Sequence, residues 1–251
     1  MNRRIAGGML ALWLLGGTAS AETLEARLQW AQRVALGTPV SGMIAAVDAE
    51  PGQRVEEGQV LLRLDARPLR ARVAGLEAEL VGKRHDRDEA RRELERTQEL
   101  YERTLLADRD LSLAGIALAN AEAALKTTEA RLAQARWELE YSEIRAPFAA
   151  WLLRRQAEPG QTVISNLQAE PLLVVARAGV MLARAMVGAE RLPALAPGQA
   201  LTVTVAGRAY PGRVRRIALE PDASGRYAVD VRFDSGEGLL RAGLPARIEL
   251  P

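Results

Sequence analysis

Ala49-Glu50-Pro51-Gly52-Gln53-Arg54-Val55 is answered farther along the chain by Ala157-Glu158-Pro159-Gly160-Gln161-Thr162-Val163. Five consecutive identities and a matching valine mark a duplication rather than a coincidence of composition. Proline presets φ at one turn position and glycine admits φ > 0 at the next, so each copy predicts a tight turn. Apolar residues precede both turns, Ile44 and Val47 before the first and Leu152 and Leu153 before the second, which makes each turn a link between short strands. Two such halves predict one small β-sandwich, with whatever lies between them inserted.

The insertion, Arg67 to Glu140, has no proline after Pro68 and no glycine beyond Gly75, Gly82 and Gly115. That composition predicts helix. Leu111, Ala114, Leu118, Ala121, Leu125, Thr128, Leu132, Ala135 and Leu139 follow in steps of three and four, which places them on one seam. Leu69, Val73, Leu76, Leu80, Ala90, Leu94 and Tyr101 offer a matching seam, interrupted by Lys83 and Arg87. The two segments predict an antiparallel coiled-coil hairpin joined near Glu102 to Ala107. An arm of about 35 residues is roughly 50 Å long at 1.5 Å per residue.

Arg3 and Arg4, an apolar run from Ile5 to Leu15 and an Ala19-Ser20-Ala21 ending predict a cleavable secretory signal over residues 1–21. The run is too short for the roughly 20 residues of a spanning helix. Because Arg3 and Arg4 leave with the signal, the chain's 34 basic and 32 acidic residues come into balance. No basic arm or nucleic-acid motif remains, so nucleic acid is not an expected partner. Cysteine is absent, which excludes disulfides, thiolate metal sites and the Cys of a lipoprotein anchor. His85 is the single histidine, between Arg84 and Asp86 on a charged helix face, and no P-loop or GxGxxG opens a helix. Met43, Met181 and Met186 sit in apolar strand contexts, which suit core packing better than soft-metal handling. The chain is therefore expected to be neither an enzyme nor a carrier of metal or cofactor.

Gly42 to Asp65, with its Pro-Gly turn, Val55, Gly58, Leu61, Leu62 and Leu64-Asp65, resembles the first half of a biotinyl/lipoyl-type domain. Tyr141 to Ala176, with Ile144-Arg145-Ala146-Pro147-Phe148 and then Pro159-Gly160, resembles the second half. A heptad hairpin between such halves is similar to the periplasmic adaptor proteins, or membrane fusion proteins, of tripartite efflux pumps (HlyD-like, resistance-nodulation-division type). The later chain fits the same resemblance: strand-like runs at Val180–Val187, Ala200–Val205, Arg213–Leu219, Tyr227–Phe233 and Ala246–Leu250 alternate with turns and predict a small barrel. Ala189 to Leu195 is expected as a short helix at one barrel opening. The expected fold class is thus α+β multidomain, a lipoyl-like β-sandwich split by a long hairpin and followed by a β-barrel, with no complete membrane-proximal domain. The corresponding boundaries are signal 1–21, an N-terminal segment 22–37 without a structural assignment, split domain 38–65 and 143–177, hairpin 66–142 and barrel 178–251.

The resemblance implies an adaptor in the periplasm, peripheral to the inner membrane through its transporter and without a lipid anchor. Its implied partners are an inner-membrane transporter (resistance-nodulation-division type favoured, ATP-driven as the alternative), a TolC-type outer-membrane channel and copies of itself, a hexamer. A true lipoyl carrier attaches its cofactor to a lysine between the halves; here the arm replaces that turn, and the only lysines are Lys83 and Lys126 within it. At the tip, such adaptors carry an Arg, a Leu four residues later and a Ser seven after that; Arg96 and Leu100 match, and Ala107 stands in place of the Ser. Ala107 can neither cap the second helix nor offer a hydroxyl, and Asp108 offers a cap one residue later. Leu105 and Leu106 either pack against each other across the turn or stay exposed and complete the implied channel-docking patch with Arg96, Leu100 and Ala107. Ala149-Ala150 also departs from the family's acidic residue and glycine, and Ala150 falls where the duplication places Gly42. Beside this reading stands a second one, a periplasmic scaffold whose coiled coil holds itself or another partner without a channel.

Overall fold

Alternation of apolar and polar residues sets two sheets and a barrel, and the heptad seam sets the helices between. The computed structural model describes residues 23–103, 105–165, 171–236 and 238–250; the expected signal, residues 1–21, lies outside them. In chain order the first half comprises β1 (Thr23–Trp30), β2 (Arg33–Leu36), β3 (Gly42–Val47), β4 (Arg54–Val55), β5 (Val60–Leu64), α1 (Arg67–Glu102) and α2 (Asp108–Glu140). Then follow β6 (Glu143–Arg145), β7 (Ala150–Arg155), β8 (Thr162–Val163), β9 (Leu173–Arg177), β10 (Val180–Val187), β11 (Ala200–Val205), β12 (Arg208–Ile217), β13 (Tyr227–Asp234) and β14 (Pro245–Glu249). The chain divides into two units, residues 32–178 and the barrel formed by 23–31 with 179–250.

In the first unit, sheets ordered β2-β9-β7-β4 and β6-β5-β3-β8 enclose Ile44, Val55, Leu61, Leu62, Phe148, Leu152 and Val175. The duplicated turns exchange partners. Gly52 N donates to the Leu152 carbonyl at 2.7 Å and Leu152 N to that of Gln53 at 3.0 Å, while Gly160 N donates to Ile44 and Ile44 N to Gln161, both at 2.8 Å. Strand pairing repeats the symmetry, with Gly42 opposite Val163 and Val55 opposite Ala150. Each half therefore holds the other half's turn. Ala150 needs no special backbone, because Gly42 is not among the positive-φ residues either.

Each turn is also braced by its glutamine. The Gln53 Oε1 accepts from Glu50 N at 3.0 Å, and the Gln161 Oε1 from Glu158 N at 3.1 Å. The same device recurs at Glu56–Gln59 (3.0 Å) and, in the barrel, at Ala196–Gln199 (2.9 Å). In all four, the glycine before the glutamine has positive φ: Gly52, Gly58, Gly160 and Gly198.

The hairpin buries Leu80, Leu125 and Leu132 with Val73 and Leu76 packed against them. Every expected α2 seam residue is buried or half-buried, and each fully buried leucine contributes about 1.5–3 kcal/mol. On α1 the seam passes through Lys83 and Arg87, both half-buried, and continues through buried Thr97 and half-buried Leu100; Tyr101, expected in the seam, is exposed. Thr97 is accommodated because its hydroxyl donates back to the Glu93 carbonyl at 2.7 Å. Polar contacts between Arg72 and Glu138 (2.5 Å), Glu77 and Arg136 (2.6 Å), and Glu79 and Thr128 (3.0 Å) align the antiparallel register. At the root, the Asp65 carboxylate accepts from the Arg67 side chain and amide, and those bonds hold its pKa down to about 2.

In the barrel unit six strands close in the order β1-β10-β13-β12-β11-β14. The unassigned segment 22–37 supplies β1 to this barrel and β2 to the sandwich. Leu24, Ala26 and Leu28 alternate into the barrel core with Met181, Val203, Val231, Phe233 and Ile248. Strand β12 begins five residues before the expected Arg213 and runs through Pro211 and Gly212. A Cβ at Gly212 would meet Val231 Cγ1 at 2.8 Å and Val203 Cγ2 at 3.1 Å, so the wall closes only around a glycine there. Ala189–Ala194 forms a 3-10 helix, after which Leu195 enters the core. Ala206, with φ 48°, and Gly207 make the two-residue turn between β11 and β12.

Candidate functional site

The tip is built by the end of α1 and the start of α2. Leu105 N donates to the Leu100 carbonyl at 3.1 Å, a return bond that satisfies one of the last-turn carbonyls of α1. Ala107 is the extended N-cap residue of α2 (φ −83°, ψ 152°) and makes no side-chain cap. The expected cap from Asp108 does not form: Asp108 is already the first helical residue, and with Asp110 it places negative charge in the first turn. There both carboxylates complement the helix dipole rather than close the helix end.

Arg96 Nη2 donates to Glu93 Oε1 at 2.8 Å, and this bond raises the guanidinium's pKa. Its side chain remains 69% exposed, so the ion pair leaves its outer edge in water. Arg96, Leu100 and Leu106 line one groove of about 460 Å³ between the helices, together with Thr97, Asp110 and Leu113. Leu105 and Ala107 do not line it; Leu105 stands out into solvent, 67% exposed.

Two apolar residues escape the seam-based reading. Leu113 and Ile116 are 52% and 56% exposed, one helical turn apart on α2. Their signal was present in the sequence, because both fall off the Leu111, Ala114, Leu118 seam and so had to face elsewhere. With Leu105 they place three large exposed apolar side chains toward the tip, while among the described residues Val81 stands alone in mid-arm and Trp137 is exposed near the root.

Among the described residues no group of three or more His, Cys, Asp or Glu is placed to hold a metal, and no helix is long and apolar enough to cross a membrane. Lys83 pairs with Asp86 at 3.0 Å and Lys126 with Glu129 at 2.9 Å, both within the helices and away from any turn of the sandwich.

Residues 32–174 match the family described as CzcB-like, barrel-sandwich hybrid domain. The chain is 30% identical over 217 residues to nodulation protein NolF of Rhizobium meliloti, covering 85% of this chain and 58% of that protein. It is 29% identical over 247 residues to macrolide export protein MacA of Escherichia coli O157:H7, covering 89% of this chain and 66% of the relative. Thus the chain spans less than two thirds of either relative's length. Among solved structures, a MacA-MexA chimeric protein containing the Pseudomonas aeruginosa MexA α-hairpin domain superposes with a TM-score of 0.69 at 20% identity, over 92% of this chain and 81% of that one. The likeness is one of fold.

Proposed function

The chain belongs to the CzcB-like barrel-sandwich hybrid family, the membrane fusion or adaptor proteins of efflux systems, and on that premise we propose that it bridges an inner-membrane transporter to a TolC-type outer-membrane channel. The family is periplasmic. The observation that carries the proposal is a long hairpin rooted between two interlocked half-domains, with its exposed leucines gathered at the far end. Helix α1 has 36 residues, about 54 Å at 1.5 Å per residue. Such an arm supplies reach, and burying Leu105, Leu113 and Ile116 against a channel's helical ends would supply about 1.5–3 kcal/mol for each.

In this reading Arg96, Leu100 and Leu106 form the groove that receives the channel, Leu105 is the leading apolar contact, and Ala107 leaves the usual hydroxyl contact unmade. Copies of the chain pack side by side as a hexamer and enclose a conduit. The transporter, of the resistance-nodulation-division type or ATP-driven, provides the energy, and this chain performs no catalysis.

The absence of cysteine makes the test clean. A single Leu105→Cys chain, labelled with a maleimide-linked benzophenone and irradiated in cells so that the photoprobe inserts into any neighbouring C–H bond, should trap an outer-membrane channel identified by mass spectrometry, whereas Val81→Cys in mid-arm should not. If Leu105→Cys traps only other copies of the chain, the scaffold reading replaces this one.

A further inference from the structure

The exposed wall of the barrel holds an arrangement that costs stability and that the bridging reading does not use. In the register of β1 with β10, Arg27 lies directly opposite Arg184. Like charges in directly opposed cross-strand positions repel. On the other side of β1, Glu25 pairs in register with Arg247 and Arg27 with Pro245, so Arg247 is the diagonal neighbour of Arg27 on the same face. Three adjacent strands thus present three guanidiniums within reach of one another.

Their partners differ. Arg184 is engaged from the side by Asp230, through Nε to Oδ1 at 2.6 Å and Nη2 to Oδ2 at 3.0 Å. Arg27 and Arg247 are exposed, and neither makes a hydrogen bond or ion pair among the described residues. The same three arginines line a single groove on the barrel, joined there by Arg226, whose Nε donates to the Ser224 hydroxyl at 3.2 Å, and by Arg191. Glu25 is the sole carboxylate in that lining among the described residues. Arg184 is balanced by Asp230 and Arg191 lies 3.9 Å from Glu190, but Arg27, Arg226 and Arg247 still outnumber Glu25 in the lining, a local field that attracts anions. The unoccupied planar forks of Arg27 and Arg247 match the paired oxygens of a phosphate group.

We propose that the β14-β1-β10 face of the barrel is an anion-binding site that takes a phosphate-bearing ligand between Arg27 and Arg247, with Arg184 contributing charge from the third strand. The site lies in the barrel unit and does not depend on what the hairpin tip contacts. A free phosphate compound and a phospholipid headgroup present the same group, and the test separates them.

Isothermal titration of the full leader-free chain with inorganic pyrophosphate, and cosedimentation with phosphatidylglycerol vesicles against phosphatidylcholine vesicles, provide the two arms. Binding in either arm that weakens as salt rises, and that falls about tenfold for each of Arg27→Gln and Arg247→Gln, supports the site; charge-assisted contacts of this kind each carry about a factor of ten or more. Pyrophosphate alone identifies a soluble ligand, and vesicles alone identify a headgroup. An Arg91→Gln/Lys126→Gln chain, which removes two exposed charges from the hairpin, should bind as the parent does. No binding in either arm, or equal losses in the barrel and hairpin variants, overturns the proposal. Circular dichroism melts of each variant establish that folding is retained.

Discussion

Replacing Asp230 with Asn should weaken the barrel and strengthen its hold on anions at the same time. The Asp230 side chain is 4% exposed and is gripped by Arg184 on both oxygens and by Arg216 Nη2 at 2.9 Å. Removing one member of a fully buried pair costs about 3–5 kcal/mol. Here the Arg184 and Arg216 side chains are 32% and 63% exposed, so water recovers part of the loss. An amide also keeps one acceptor oxygen. We expect about 2 kcal/mol for Asp230→Asn, with a double-mutant coupling of about 1–2 kcal/mol to Arg184 and under about 1 kcal/mol to the more exposed Arg216.

Trp30 packs against the barrel core, so urea unfolding of the leader-free chain, which lacks Trp13, followed by Trp30 emission in a Trp137→Phe/Trp151→Phe background reports on this unit. Burial pushes the Asp230 pKa up, but the bonds and charges of Arg184 and then Arg216 outweigh it and leave the value lowered. A depressed carboxylate stabilises fully above its unfolded pKa of about 3.9 and progressively less as pH falls through the lower native value. The parent barrel should therefore lose this contribution below about pH 4, while Asp230→Asn should show no such loss. In the same variant the freed Arg184 fork should raise pyrophosphate affinity. A variant within about 0.5 kcal/mol of the parent, or equal coupling to both arginines, would refute the reasoning.

Ala107→Ser should cap α2 and stabilise the tip by about 1 kcal/mol, read as slower amide exchange in the first turn of that helix. Ala206→Asn should raise the barrel's melting point by relieving an alanine held at φ 48°, a gain of about 1 kcal/mol, because Asn-Gly is the preferred dipeptide of a two-residue hairpin turn. Leu132→Ala, at a seam position only 4% exposed, should cost about 2–3 kcal/mol in hairpin stability measured by helical circular dichroism in urea.

Legibility followed the distance over which each signal acts. The α2 seam was readable throughout because every contact in it obeys one local period. On α1 the period was obscured where Lys83, Arg87 and Thr97 take core-facing positions, and Tyr101 was drawn in by its apolar ring although Leu100 holds the place. Strand β1 alternates plainly from Leu24 to Leu28, but its partners β10 and β14 lie at the other end of the chain, so nothing nearby announces the pairing. Pro211 and Gly212 precede the strand start expected at Arg213 yet lie mid-strand, and the crowding of Val203 and Val231 explains the glycine. At the tip, Arg96, Leu100 and Leu106 share a groove, whereas the spacing implied by the resemblance picked out Arg96, Leu100 and Ala107; Leu113 and Ile116 were legible only as apolar residues off the seam. The glutamine braces went half-read: proline marks three of the four turns, at Pro51, Pro159 and Pro197, although the side chain that repeats in all four is Gln.

The exchanged turns also bear on how the chain finds its fold. Thr38 Oγ1 reaches the Tyr141 carbonyl across 103 residues of chain, and neither half of the sandwich completes its ladders without the other. Closing so long a loop from an open chain is slow and entropically uphill. Zipping α1 onto α2 from the tip needs only local contacts, and it delivers β5 beside β6 with a few residues left to close, sparing roughly 3 kcal/mol of closure entropy. The arm is therefore expected to act as a folding aid built into its own chain. Leu132→Ala should then retard formation of the sandwich core, which it does not touch, more than it hastens that core's unfolding.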